Sequence, residues 1–191
     1  MDKNFSSSTI AFSVSYSLLI FVFCLFLFSF IGFFFHISIN IFYPILSMLI
    51  SLTTLYLCIK SQNLFKKHFL IALIIYILIF VVSLLLGHKF WDTSWDGRVY
   101  HQASIMFLGA GWNPVYDNVA DFVAKIYNTS VENLIWVETY PKFVEIIQTN
   151  IFIFFGNIER AKMTTFLSMF ILFGYSFYIL SKDTFKRINK F

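Results

Sequence analysis

The stretch IAFSVSYSLLIFVFCLFLFSFIGFFF, residues 10–35, contains no charged side chain. A helix gains 1.5 Å per residue, and about 20 mainly apolar residues cross the hydrocarbon core of a bilayer, so this stretch is long enough to span one. It is too long for the apolar region of a signal peptide, and no small-x-small cleavage site follows it. It therefore reads as a retained membrane helix. A second apolar run, 37–59, is separated from it only by His36, with Ser38 and Asn40 as further polar interruptions, and the two predict a helical hairpin with a tight turn. A third run, 69–86, follows Lys60, Lys66, Lys67 and His68, and a fourth, 163–180, precedes Lys182, Lys186, Arg187 and Lys190.

The whole composition agrees with this reading. Of 191 residues, 59% are hydrophobic and 13% charged, against about 25% charged in an average soluble chain. Phe occurs 27 times, and the mean hydropathy is +0.76. Disorder, collagen-like repeats and disulfide scaffolds are excluded. Cys24 and Cys58 lie inside apolar runs and read as packing residues. The net charge of +4 forms no basic stripe interleaved with aromatics, so no nucleic-acid partner is expected; in a membrane protein such an excess reports orientation.

The expected fold is all-α: a polytopic helical protein of a cell membrane, with four to five membrane helices and one large outer loop of amphipathic juxtamembrane helices. Its expected parts are three membrane helices in 1–87, an extracytoplasmic loop in 88–162, and a membrane helix with a basic tail in 163–191. The two basic clusters should be cytoplasmic, which places the turn near His36 and everything directly after Leu86 outside. The loop holds Asp92, Asp96, Asp117, Asp121, Glu132, Glu138, Glu145 and Glu159, so eight of the ten acids, against six of the fourteen bases. It is the expected working surface.

Within the loop, Trp95, Val99, Ala103 and Met106 recur at helical spacing, with Asp96, Tyr100 and Ser104 on another face, and Gly109 and Gly111 end the helix. It reads as an interfacial amphipathic helix. A second short helix is expected after Asp117 as N-cap, from the spacing of Val119, Phe122, Val123 and Ile126. Residues 143–155 are apolar but interrupted by Glu145, Gln148, Thr149 and Asn150, which leaves a short span, a re-entrant helix or an interfacial helix open. If this segment crossed, the basic tail would fall outside, so the charge pattern favours a non-crossing helix. Trp112, Tyr116, Trp136 and Tyr140 read as interfacial anchors or sugar-stacking faces, and Asn128-Thr129-Ser130 matches a glycosylation triplet.

The densest chemistry lies in Trp91-Asp92-Thr93-Ser94-Trp95-Asp96-Gly97-Arg98-Val99-Tyr100-His101. A carboxylate fixed at the membrane surface can serve as general base toward an acceptor hydroxyl while Arg or Lys stabilises a departing phosphate. The competing reading is structural: Thr93-Ser94-Trp95-Asp96 fits a capping box, with Asp96 satisfying helix-terminal amides. Asp92, Asp96 and His101 could also hold a divalent metal such as Mg²⁺ or Mn²⁺, although a histidine among aromatics is more often a packing residue.

The pattern D-x-S-W-D-G-x-x-Y-H from Asp92 to His101, followed by Gly111-Trp112-Asn113-Pro114, resembles bacterial multi-pass glycosyltransferases of the GT-C type. Tyr140-Pro141-Lys142, an apolar helix, Gly156-Asn157-Ile158-Glu159 and Lys162 continue the likeness, which extends more loosely to the first third of protein mannosyltransferase and aminoarabinose transferase relatives. It covers about residues 90–180. The resemblance implies a polyprenyl-phosphate sugar as donor, an envelope acceptor, and Asp92 or Asp96 as catalytic base. Arg98, Lys142 and Lys162 become candidates for the donor phosphate, and Tyr100 and His101 for substrate or metal contact; no further cofactor is implied. Those relatives more often show adjacent acids, whereas three residues intervene here, and full GT-C enzymes have many more membrane helices. The chain is thus expected to be an N-terminal part of such an enzyme or a small protein that keeps the loop. The alternative is a non-enzymatic membrane subunit or assembly partner in envelope polysaccharide biosynthesis. A transporter is disfavoured because the apolar runs hold almost no ionisable residue.

Overall fold

A computed structural model describes residues 3–61, 66–91, 93–94, 96–128, 134–139 and 141–188. The described residues form helices joined by turns, with no strand among them. The helices are α1 (Lys3–Phe34), α2 (Phe42–Ser61), α3 (Lys66–Lys89), a π-helical segment (Gly97–His101) running into α4 (Gln102–Gly109), α5 (Val119–Tyr127), α6 (Leu134–Thr139), α7 (Phe143–Phe155), α8 (Ile158–Ala161) and α9 (Met163–Ile188). Among the described residues, four stretches are long and apolar enough to cross a bilayer: Ser7–Phe34, Phe42–Ser61, Lys67–Lys89 and Ile158–Lys182. The protein is an all-α, multi-pass membrane protein.

The expected second run starts five residues too early. Ile37 N–H bonds back to Gly32 O at 2.8 Å, His36 takes a left-handed backbone (φ 56°), and the Asn40 side chain accepts from Phe42 N–H. Apolar residues 37 and 39 are therefore used in the turn. The turn is closely packed at Gly32, where a Cβ would meet the Tyr43 hydroxyl and, at 3.0 Å, the backbone oxygen of Ile37.

α1 is the central helix, packed against α9 and α2 and, over smaller areas, α3 and α7. Lipid offers no hydrophobic drive for helices to associate, so close approach and polar contacts matter more. Gly174 of α9 sits directly on Ser15 of α1, leaving no room for a Cβ, and Phe12 packs on Tyr175 and Tyr178. Ser13, Ser17 and Ser29 are buried and bond to the carbonyls four residues earlier, so their hydroxyls cross the apolar interior satisfied. Ser51 joins three helices: it donates to Ser17 O at 2.6 Å and pairs with the Tyr76 hydroxyl at 2.8 Å. Cys24 and Cys58 are free thiols within the bundle.

These contacts make α1 and α9 antiparallel, as are α3 and α9, since Gly87 packs against the backbone of Met163. The bundle thus has two unlike ends. Lys60, Lys67 and Lys182 gather at one. The 32–42 turn, the exit of α3 and the entry of α9 share the other, so the chain from 88 to 162 leaves and returns at one end. α7 accounts for this return. Its 13 residues extend about 20 Å, less than a hydrocarbon core. It packs on the loop-end half of α1, with Phe143 on Phe26 and the Asn150 amide donating to Ser29 Oγ at 2.8 Å. Gly156, left-handed at φ 65°, ends it, and Asn157 caps α8 by accepting from Glu159 and Arg160 N–H.

Candidate functional site

The first loop helix begins with Ser94, whose hydroxyl accepts from Gly97 N–H at 2.9 Å. The structural role expected of Asp96 therefore belongs to Ser94: Asp96 is exposed and makes no side-chain cap bond. A π turn follows, with Gln102 N–H bonded to Gly97 O, and each such turn rotates the later residues relative to an ideal helix. Met106 is 47% exposed, while Ser104, Ile105, Phe107 and Leu108 are buried. Trp95 lies outside the described residues.

After α4, Gly111 adopts φ 103° and the chain drops into a buried anchor rather than an interfacial one. Trp112 is 2% exposed and donates from its indole to Asp117 O; the Asn113 side chain donates to Phe33 O at the end of α1 at 2.8 Å. The Asp117 carboxylate accepts from Asn113 N–H, so it holds this turn, and Asn118 is the N-cap of α5, accepting from Ala120 and Asp121 N–H. Asn118 also donates to Glu138 on α6. Tyr116 and Trp136 are exposed, Tyr116 stacking on His36; Tyr140 lies outside the described residues, as do Thr129 and Ser130 of the glycosylation triplet.

Seven consecutive residues of α7, Glu145 through Ile151, are buried, and four of them are polar. Each polar group then needs a partner, because nothing in an apolar interior replaces lost water. Thr149 donates to Glu145 O at 2.7 Å, and the Asn150 amide reaches Ile146 O and Ser29. Glu145 Oε1 lies 2.6 Å from His101 Nδ1, while its Oε2 is buried with no hydrogen-bond partner among the described residues. The carboxylate is 3% exposed and the imidazole 40%.

The exposed part of His101 belongs to a cavity of about 270 Å³ at the loop end, walled also by Gly97, Gln102, Gln148 and Lys162. Lys162 donates to the Glu159 carboxylate and to Phe90 O, which leaves a third N–H on its ammonium. Of the site residues expected from sequence, the cavity brings together His101 and Lys162. Asp96 directly precedes Gly97 of its wall, whereas Arg98 is exposed and forms no part of it. Tyr100 is half-buried, its ring 4.0 Å from that of His101. Lys142 sits at the start of α7, where burial pushes its ammonium below the usual lysine range and the nearby Glu145 partly restores it. Asp92 lies outside the described residues.

Glu145, Gln102 and Gln148 are not among the site residues expected from the sequence. The available signal was the polar interruption of 143–155, since an ionisable residue in an apolar helix marks a functional candidate. Among the described residues, no group of three or more His, Cys, Asp and Glu side chains is placed to hold a metal, and His101 is turned to Glu145. Comparison with protein-family models, with curated proteins and with solved structures yields no match for this chain.

Proposed function

We propose that the chain is a membrane glycosyltransferase, or a part of one, that moves a sugar from a polyprenyl-phosphate donor to an envelope acceptor at the loop end of its bundle. The observation that supports this reading is the shared cavity of His101 and Lys162, beside the motif residue Asp96 and at the end of membrane-spanning helices. A donor with an isoprenoid tail would keep that tail in the bilayer and present its phosphate at this level. The acceptor oxygen then attacks the anomeric carbon, the bond from that carbon to the phosphate oxygen breaks, and the acceptor proton passes to Asp92 or Asp96. The Lys162 ammonium would offset the charge developing on the departing phosphate.

The test is sugar transfer by the full chain in proteoliposomes containing a polyprenyl-phosphate sugar. Asp92→Asn and Asp96→Asn are compared separately, and one of them should lose at least about a hundredfold in rate, as removal of a general base does. Full activity in both contradicts the reading. The exposure of Asp96 and Arg98 favours a second one, a non-enzymatic subunit whose loop binds another envelope protein. In that case co-purification with the partner survives both substitutions.

A further inference from the structure

We infer that Glu145 holds His101 as a phosphate-contacting imidazole, so that His101 and Lys162 form the anion-binding pair of the loop-end cavity. This rests on the reading of that cavity as a site for a lipid-borne phosphate, and it assigns a role to a residue which that reading leaves unused.

Three observations lead to it. First, Glu145 is almost wholly buried, with one oxygen on His101 and the other without a hydrogen-bond partner among the described residues. Burying a carboxylate is expensive unless a charged partner accompanies it; Lys142 is near enough to interact with Glu145 electrostatically, and His101 makes the direct contact. A purely structural clip between the π segment and α7 would be served as well by an amide. Second, the 2.6 Å contact is made by Nδ1: where the carboxylate accepts, Nδ1–H donates, and Nε2 is the ring nitrogen left for another partner. A ring held in this way that also carries a proton on Nε2 presents a charged donor to an anion. Third, the exposed part of that ring lines the same cavity as Lys162, whose ammonium retains an N–H beyond those given to Glu159 and Phe90.

The His101 ring and the Lys162 ammonium on one cavity, with Gln102 and Gln148 in its wall, form a set of polar groups suited to a phosphate monoester. Glu145 is then a positioning residue: it fixes the ring orientation without touching the ligand. The arrangement links the segment that carries the acidic motif to the buried helix 44 residues later.

The experiment is binding of the full chain, in nanodiscs, to a short-chain polyprenyl phosphate. Neutral polyprenol and inorganic phosphate serve as the comparison arms. The expected result is saturable binding to the polyprenyl phosphate and none to the polyprenol. Competition by inorganic phosphate would locate recognition in the phosphate itself, and its absence would require the lipid tail as well. Glu145→Gln keeps the size and an accepting oxygen but removes the charge, and His101→Gln alters a half-exposed side chain; each should weaken binding at least about tenfold. Thermal unfolding of both variants checks the fold, and His101→Gln decides alone if Glu145→Gln does not fold. Wild-type chain that fails to bind contradicts the lipid-phosphate reading and this inference with it. Wild-type chain that binds, with both folded variants equally tight, overturns the His101–Glu145 role and leaves the lipid-phosphate reading standing.

Discussion

α3 and α7 are both apolar helices, yet the protein uses them in opposite ways. α3 presents Leu70, Ile74, Ile77, Leu78, Val81 and Leu85 outward and buries little beyond Ala72, Tyr76, Ser83 and Gly87. In a bilayer that exposure costs nothing, because lipid tails are as apolar as leucine. α7 is about half as long, and it encloses seven consecutive residues, four of them polar. Length lets α3 cross; enclosure lets α7 carry groups that lipid would reject. The difference teaches that hydropathy alone does not separate a spanning helix from a site-building one, since what decides is where the polar side chains find partners.

The contrast breaks most severely at Asn150. It is fully buried, and its amide donates to Ser29 and Ile146, so Asn150→Asp would place an uncompensated carboxylate against their oxygens. A loss of about 3 kcal/mol or more is expected in a detergent unfolding titration, or failure to fold. A tolerant protein would show that α7 is not enclosed. Next comes the same kind of truncation on both helices. Ile151→Ala, on α7 at 1% exposure, should cost about 2–5 kcal/mol, and Leu78→Ala, on α3 at 58%, no more than about 0.5 kcal/mol. Equal costs would erase the distinction.

The smallest effect concerns Lys142, whose burial lowers its proton affinity in the folded state. Between that lowered value and the ordinary 10.5, the unfolded chain binds more protons, so stability rises with pH. Lys142→Met should remove this alkaline rise while leaving the acid side of the profile unchanged, as seen by thermal unfolding across pH.

The spans were legible because a charge-free run of twenty residues is a local property that any fold of the chain must accommodate. Their exact starts were less so: Asn40 and the left-handed His36 consume apolar residues in a turn. The burial of Ser104 in α4 was not legible, because the π turn at Gly97–His101 shifts the register without any compositional mark. Asp117 and Asn118 are both good caps by type, and only the bond of Asp117 to Asn113 decides between them. Within the candidate site, His101 stood out in the dense polar stretch after the third apolar run, whereas Lys162 entered only through the resemblance. Glu145 was visible as an interruption, but its pairing with His101 spans 44 positions and leaves no periodic trace.

The central claim is that 88–162 leaves and re-enters the bundle at one end, with α7 seated inside that end rather than crossing. Site-directed labelling in oriented membranes tests it most directly, in a chain with Cys24→Ala and Cys58→Ala and single cysteines at Asp96→Cys, Arg160→Cys and Lys67→Cys. An impermeant thiol reagent should label the first two from the same, outer face and the third only from the opposite one. Labelling of the cysteine at position 160 from the face that labels position 67 would contradict the account.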